Sequence, residues 1–200
     1  SFSPPQANDL YGMWGNPNLK PEEAETWEVG VTVSPNEMVN LRVSYFDTRY
    51  TNLIEWSGSS TANVGVARTK GVESSLEAVQ GNYSSRFSFS YLDAVNSNTD
   101  QRLLRRPRIL GNFVVQHVND RSTLGLGLKF VHDVMDIDGG NFTTIEGDDY
   151  AIVRLFADYQ ISEGIKLFGR IENLMDEDYE EVDGYPALGR AVYAGLRFSF

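Results

Sequence analysis

The chain has 200 residues, no cysteine, 41% hydrophobic content, and 17 basic against 28 acidic side chains, for a net charge of −11. The lack of thiols excludes disulfide frameworks, Cys-based zinc sites and thiol chemistry. His117 and His132 are too far apart for a His-rich metal centre, and the acidic balance speaks against nucleic acid as a partner.

Residues 1–21 are rich in Pro and Asn and read as a loop. From there apolar residues recur with period two almost to the end of the chain. Val29, Val31 and Val33 alternate with Glu28, Gly30 and Thr32, and Leu41, Val43 and Tyr45 with Arg42 and Ser44. Phe87, Phe89 and Tyr91 alternate with Ser88 and Ser90, and Leu124, Leu126, Leu128 and Phe130 with Gly125, Gly127 and Lys129. The pattern closes with Val192, Ala194, Leu196, Phe198 and Phe200 against Tyr193, Gly195, Arg197 and Ser199. A helix needs a period of 3.6, and no comparable run shows it. The spacing predicts an all-β chain of nine strands, at about 24–33, 38–56, 63–80, 83–95, 107–118, 122–134, 148–160, 164–173 and 189–200.

The connectors specify the order. Tight turns at 34–37, 81–82, 119–121 and 161–163 alternate with long connectors at 57–62, 96–106, 135–147 and 174–188. In an antiparallel up-and-down meander this puts all tight turns at one end and all long loops at the other, as in outer-membrane barrels. A soluble sandwich turns its apolar face inward and a membrane barrel turns the same face to lipid. Three features favour lipid. Several strands reach the ~9–11 residues that cross a tilted bilayer path. The face opposite the apolar one mixes Gly, Ser, Arg, Lys and Glu, as a watery lumen would. Aromatic residues recur near strand ends (Tyr45, Trp56, Tyr83, Tyr91, Tyr150, Tyr159 and Tyr193), where an interfacial girdle sits.

Several segments then become recognisable. Asn16-Pro17-Asn18-Leu19-Lys20-Pro21-Glu22 precedes Thr26-Trp27-Glu28-Val29-Gly30; Asn63-Val64-Gly65 precedes Lys70-Gly71-Val72-Glu73. Leu103-Leu104-Arg105-Arg106-Pro107 opens a later strand, and Ile171-Glu172-Asn173-Leu174-Met175-Asp176-Glu177-Asp178-Tyr179 leads to Gly184-Tyr185-Pro186, Gly189-Arg190 and the terminal Phe200. In this order these blocks resemble the C-terminal barrel of TonB-dependent outer-membrane receptors, in spacing most like the vitamin B12 (cobalamin) transporter branch. The resemblance implies a bacterial outer-membrane barrel of roughly 22 strands, filled by an N-terminal plug and driven through TonB. Residues 1–22 would then be an extracellular loop and 23–200 strands and loops of the barrel, with the plug domain absent from these residues. The implied cargo is cobalamin or a ferric siderophore. The implied surroundings are outer-membrane lipid and lipopolysaccharide, and TonB would engage through the missing N-terminal part.

The sequence offers no enzyme signature: it has no G-x-S-x-G elbow, P-loop or H-E-x-x-H. No cofactor or metal is expected. The acidic run Asp176, Glu177, Asp178, Glu180, Glu181 and Asp183 reads as a solvated loop rather than a calcium site. Counted from Asp136, the twelfth position of a calcium-type loop is Gly147, where a bidentate Glu is required. Candidate ligand-binding residues are Arg105 and Arg106, whose guanidinium forks suit oxyanions, Trp56, Tyr179 and Tyr185, which can stack on a planar ligand, and Arg190 at the upper lumen. Two rival readings remain: a passive porin or adhesin barrel, and a soluble β-barrel binding protein with its apolar face packed inside.

Overall fold

The computed structural model describes residues 1–63 and 65–199. Val64 of the second motif and the closing Phe200 lie outside the described residues. Nine long strands carry the fold: β1 (Glu22–Asn36), β2 (Val39–Thr51), β3 (Val66–Gln80), β4 (Tyr83–Asn96), β5 (Ile109–Val118), β6 (Ser122–His132), β7 (Tyr150–Ser162), β8 (Ile165–Glu172) and β9 (Ala191–Phe198). They pair antiparallel in strict chain order, so the all-β meander expected from the alternation is the observed sheet. Two short pieces extend it: Phe2–Ser3 lies along β1, and Gln101–Arg102 pairs with the end of β4.

The expected limits change in several places, among them the strand expected from residue 63, which starts at Val66. The alternation suggested one strand through 38–56, but β2 stops at Thr51. Asn52 takes a left-handed φ of 59°, its carbonyl accepts the Asn63 side-chain amide at 2.6 Å, and Ile54–Trp56 folds back on Thr61–Asn63 as a separate hairpin. The 133–149 and 173–190 connectors likewise hold hairpins, Met135–Ile137 with Thr144–Glu146 and Glu180–Val182 with Tyr185–Pro186. The segment read as loop at 1–21 contains a short helix, Ala7–Tyr11, whose entry is closed by the Gln6 amide donating to Asp9 Oδ2 at 3.0 Å.

Register sorts the side chains onto two faces. Val33, Leu41, Leu76, Phe87, Phe113, Leu128 and Val153 lie side by side across seven strands. One residue away on each strand, and therefore on the opposite face, lie Thr32, Arg42, Ser75, Ser88, Asn112, Lys129 and Ile152. Nothing among the described residues covers the apolar face: Leu126, Leu196 and Phe198 remain 37%, 52% and 56% exposed. Among the described residues no second layer packs on it, as a sandwich would need.

The aromatic girdle is narrower than expected. Trp27, Tyr45 and Tyr91 share the apolar face toward the long-loop end, with Tyr83 and Tyr159 toward the tight-turn end. Tyr83 and Tyr91 are eight residues apart on one strand. That is roughly 26 Å of strand, and a tilt of about 40° leaves roughly 20 Å of height, close to the band of a membrane barrel. Tyr150 and Tyr193 belong to the opposite, polar face and Trp56 to a loop hairpin, so none of the three is a girdle residue. A strand-end aromatic announces an interface only when its parity also points outward.

Buried apolar side chains do not lie between layers but under the long loops. Ala67, Ala94 and Leu103 form one cluster, and Val131, Val134 and Tyr150 another. Gly71 marks a close approach in the sheet. A Cβ there would run into the Tyr91 carbonyl oxygen and lie 2.9 Å from Phe46 Cζ. Gly71→Ala is expected to loosen the β3–β4 pairing by about 1–3 kcal/mol, read as a lower denaturant midpoint of the folded barrel.

Candidate functional site at the long-loop end

A concavity of about 830 Å³ opens on the polar face where β7, β8 and β9 meet their loops. Tyr179, Tyr185, Tyr193, Arg105, Glu172 and Glu181 are among its lining residues. Asn173, at the end of β8, anchors the loop that walls it. It adopts a left-handed φ of 49°, which Asn tolerates better than most residues. Its side-chain amide donates to the carbonyls of Glu177 (2.8 Å) and Leu188 (3.3 Å), and its Oδ1 accepts the Glu177 amide at 2.9 Å. One buried side chain thus ties both ends of the loop to the strand. Gly184, at φ +78°, lets the Glu180–Val182 hairpin turn sharply and carry Tyr185 into solvent, where it is 73% exposed.

A second set of bonds joins the neighbouring loops. Asp136, 2% exposed at its side chain, accepts Arg105 Nε at 2.7 Å, the Asp183 amide at 2.8 Å and the Ile137 amide at 2.8 Å. The Arg105 amide also donates to the Met135 carbonyl at 2.7 Å. Burial pushes the Asp136 carboxyl up, but the Asp183 amide, the Arg105 guanidinium and the Ile137 amide outweigh it and hold the group below its ordinary range. Arg105 therefore faces the concavity with its guanidinium already engaged on one side, which orients it.

Lys129 Nζ lies 3.0 Å from Glu181 Oε1, and the Tyr150 hydroxyl donates to the same oxygen at 3.2 Å. Hydrogen bonding and attraction from Lys129 keep the Glu181 carboxyl below its ordinary range. Tyr150 stacks on Tyr179 with ring centroids 4.1 Å apart and planes inclined at 30°. Arg170 lies over the Tyr193 ring at 4.5 Å. The site is an aromatic floor with fixed cations at its margin, an arrangement suited to a large, flat or anionic solute.

Of the six expected ligand-binding residues, Arg105, Tyr179 and Tyr185 meet here. Arg190 stands beside Gly189 of the lining, with its amide donating to Asp176 Oδ1 at 2.7 Å and its guanidinium 3.7 Å from Asp176 Oδ2. Trp56 lies on the 54–63 hairpin, edge-on to Trp14 at 6.1 Å. Arg106 points away, its guanidinium donating to the Arg105 carbonyl at 3.3 Å and facing Glu55, whose carboxyl burial pushes up. Lys129, Tyr150, Asn173 and Tyr193 were missed as site residues. Only Asn173 carried a signal, inside the Ile171–Tyr179 block.

Four carboxylates of the acidic run, those of Asp176, Glu180, Glu181 and Asp183, have particular partners. Asp176 holds Arg190, Glu180 Oε2 accepts the Gly184 amide at 2.5 Å, and Asp183 Oδ2 accepts the Gly139 amide at 3.0 Å. Asp138 in turn folds its own turn through the amides of Gly140 and Asn141. Among the described residues, no group of three or more His, Asp or Glu side chains is placed to hold a metal ion.

Residues 1–174 match the profile of a protein family described as TonB dependent receptor-like, beta-barrel. Solved structures agree in fold. The copper transporter OprC superposes with a TM-score of 0.80 at 20% identity, over 100% of this chain and 36% of its own. The ferric-catecholate import receptor Fiu from K12 E. coli superposes at 0.73 and 18% identity, over 99% of this chain and 30% of its own. The ferripyoverdine receptor of the outer membrane of Pseudomonas aeruginosa, bound to ferripyoverdine, does so at 0.74 and 18% identity, over 91% and 28%. The chain spans about a third of the length of these structures.

Proposed function

Because this chain belongs to the TonB dependent receptor-like β-barrel family, we propose that it is the C-terminal wall of an active importer of the bacterial outer membrane, whose long-loop cleft contacts the incoming solute. The family and its solved neighbours are transport receptors rather than enzymes, and they reside in the outer membrane. Function on this reading is binding followed by a gated change, with no bond made or broken. Residues 1–22 would form an extracellular loop, and the plug and the segment that TonB grips would lie outside this chain.

The observation that carries the proposal is the Tyr-floored, Arg-edged concavity at the end of the barrel that faces the medium. Tyr179, Tyr185 and Tyr193 offer ring faces, and Arg105 offers an oriented guanidinium. A ferric catecholate or hydroxamate complex presents flat, electron-rich, often anionic ligand groups, which fit both. Cobalamin also presents a flat ring and a phosphate, and the spacing of the sequence blocks points to that branch. The two neighbours whose names specify an iron complex favour the siderophore. A bare copper ion is a poorer fit to this cleft, because its lining holds no Met or His and the chain no Cys.

Uptake of ferric siderophores and of cobalamin by a receptor-deleted strain carrying the gene decides between the two cargoes. Transport of a ferric siderophore is the expected result, and transport of neither overturns the import reading. Tyr185→Ala is expected to weaken binding of the transported solute about two- to ten-fold without changing the fold. Unchanged affinity would move the contact surface elsewhere on the rim.

A further inference from the structure

The apolar face changes character above the upper girdle. In register, Val29, Tyr45, Val72 and Tyr91 form one row across β1–β4. The next outward row toward the long loops is Trp27, Asp47, Lys70 and Asp93, and the one beyond is Glu25, Arg49, Arg68 and Val95. Successive rows are roughly 7 Å apart along the strands. Charged side chains on the lipid-facing side thus begin in the row of Trp27, one row beyond Tyr45 and Tyr91, at the depth of the lipid headgroups.

Arg49 and Arg68 are direct cross-strand partners. Like charges so placed repel unless an anion lies between them. Arg68 is set from below: its Nε donates to Asp47 Oδ1 at 2.8 Å and its Nη2 pairs with Asp47 Oδ2. The Asp47 side chain is 6% exposed and that of Arg68 53%, so the carboxylate is covered while the guanidinium faces out with Nη1 uncommitted. Arg49 has no hydrogen bond or ion pair among the described residues, not even with Glu25, its other cross-strand neighbour. Lys70 lies 3.4 Å from Asp93. A cleft of about 630 Å³ opens here, lined by Trp27, Arg49 and Arg68 among others. With Glu25, Asp47 and Asp93 nearby the patch is close to neutral, so its selectivity rests on two cross-strand guanidinium groups that line one cleft rather than on net charge.

We propose that this outward patch docks a phosphate group of the phosphorylated glycolipid of the outer leaflet. Arg49 and Arg68 fork on the phosphate oxygens, Asp47 positions Arg68, and Trp27 lies along the lipid beside them. Fork geometry favours a tetrahedral oxyanion over a neutral headgroup. The inference rests on the membrane placement of the apolar face and is independent of the cargo cleft on the polar face.

The test uses the protein extracted from outer membranes, stripped of lipid and held in detergent, with bound lipid counted by native mass spectrometry. Bisphosphorylated lipid A is expected to bind at least about ten-fold more tightly than the same lipid after enzymatic dephosphorylation. Arg49→Gln, which disturbs no protein contact, is expected to lose several-fold in affinity, as is Arg68→Lys, which keeps a cation over Asp47 but removes the fork. Arg42→Gln, on the polar face, should bind like the wild type. Equal binding of the two lipids, or wild-type affinity in Arg49→Gln, overturns the proposal. Full competition by millimolar inorganic phosphate would assign the site to the free ion and also overturn it.

Discussion

Asp136→Ala is expected to release the loops over β5–β9 while leaving the sheet intact. The substitution removes an acceptor shared by the amides of Ile137 and Asp183 and by Arg105. The two stranded amides cost about 1 kcal/mol or more each, and the lost charge-assisted bond brings the total to about 3 kcal/mol. Arg105 adds little further penalty of its own, because its side chain is 47% exposed and recovers water. Amide exchange should accelerate by about two orders of magnitude in 97–108 and 133–149 and stay unchanged in the strands. Protection that is unaltered in those loops would show that Asp136 is not their fastening.

The same group gives a pH dependence. Its carboxyl is depressed below the ordinary 3.8. The stabilisation is therefore fully present above the unfolded value and is lost as the pH falls through the lower folded value. Glu181, depressed from 4.5 by Lys129, acts in the same direction. Loop protection is thus expected to be flat from neutrality to about pH 5 and to fall below pH 4. A fall already near pH 6 would show that these two carboxylates are not its cause.

Leu126→Arg carries the second large effect. Leu126 sits mid-strand on the apolar face, opposite Val115 and Leu155. A guanidinium near the bilayer midplane costs about 2–4 kcal/mol, whereas a lumen position tolerates charge. Thr123→Arg, on the polar face of the same strand, is expected to cost under 1 kcal/mol. Urea titration of the folded barrel in lipid vesicles separates the two. Equal costs would mean that the apolar face does not meet hydrocarbon, and both the membrane placement and the glycolipid site would fall with it.

Much of the fold was legible because strand chemistry is local. The period-two alternation places all nine strands, and the tight turns can be read from short polar runs such as Gly81–Asn82, where Gly81 has φ +58°. Boundaries failed where alternation continued past the sheet. Ile54 and Trp56 look like more of β2, but a tertiary bond from Asn63 to Asn52 turns the chain away. Tyr193 has the strand-end position of a girdle residue, yet its parity against Val192 and Ala194 already sets it on the polar face.

The site was half legible. Arg105, Tyr179 and Tyr185 stand out by residue type, and their sequence blocks resemble a family whose loops face the medium. Their meeting depends on contacts such as Asp136 with Asp183, 47 residues apart, and Lys129 with Glu181, 52 apart. No local pattern encodes these, so residue type alone offers Trp56 and Arg106 as equals. The acidic run shows the limit most clearly: four of its six carboxylates, those of Asp176, Glu180, Glu181 and Asp183, are partners for particular amides and cations.

The sequence by itself determined an all-β meander with one greasy side, because side-chain parity is a property of each strand alone. Only the tertiary structure decided which loop residues share a cleft and which cations meet on the apolar face. Those outcomes depend on register between strands and on hydrogen bonds across dozens of residues, where geometry rather than composition selects the partner.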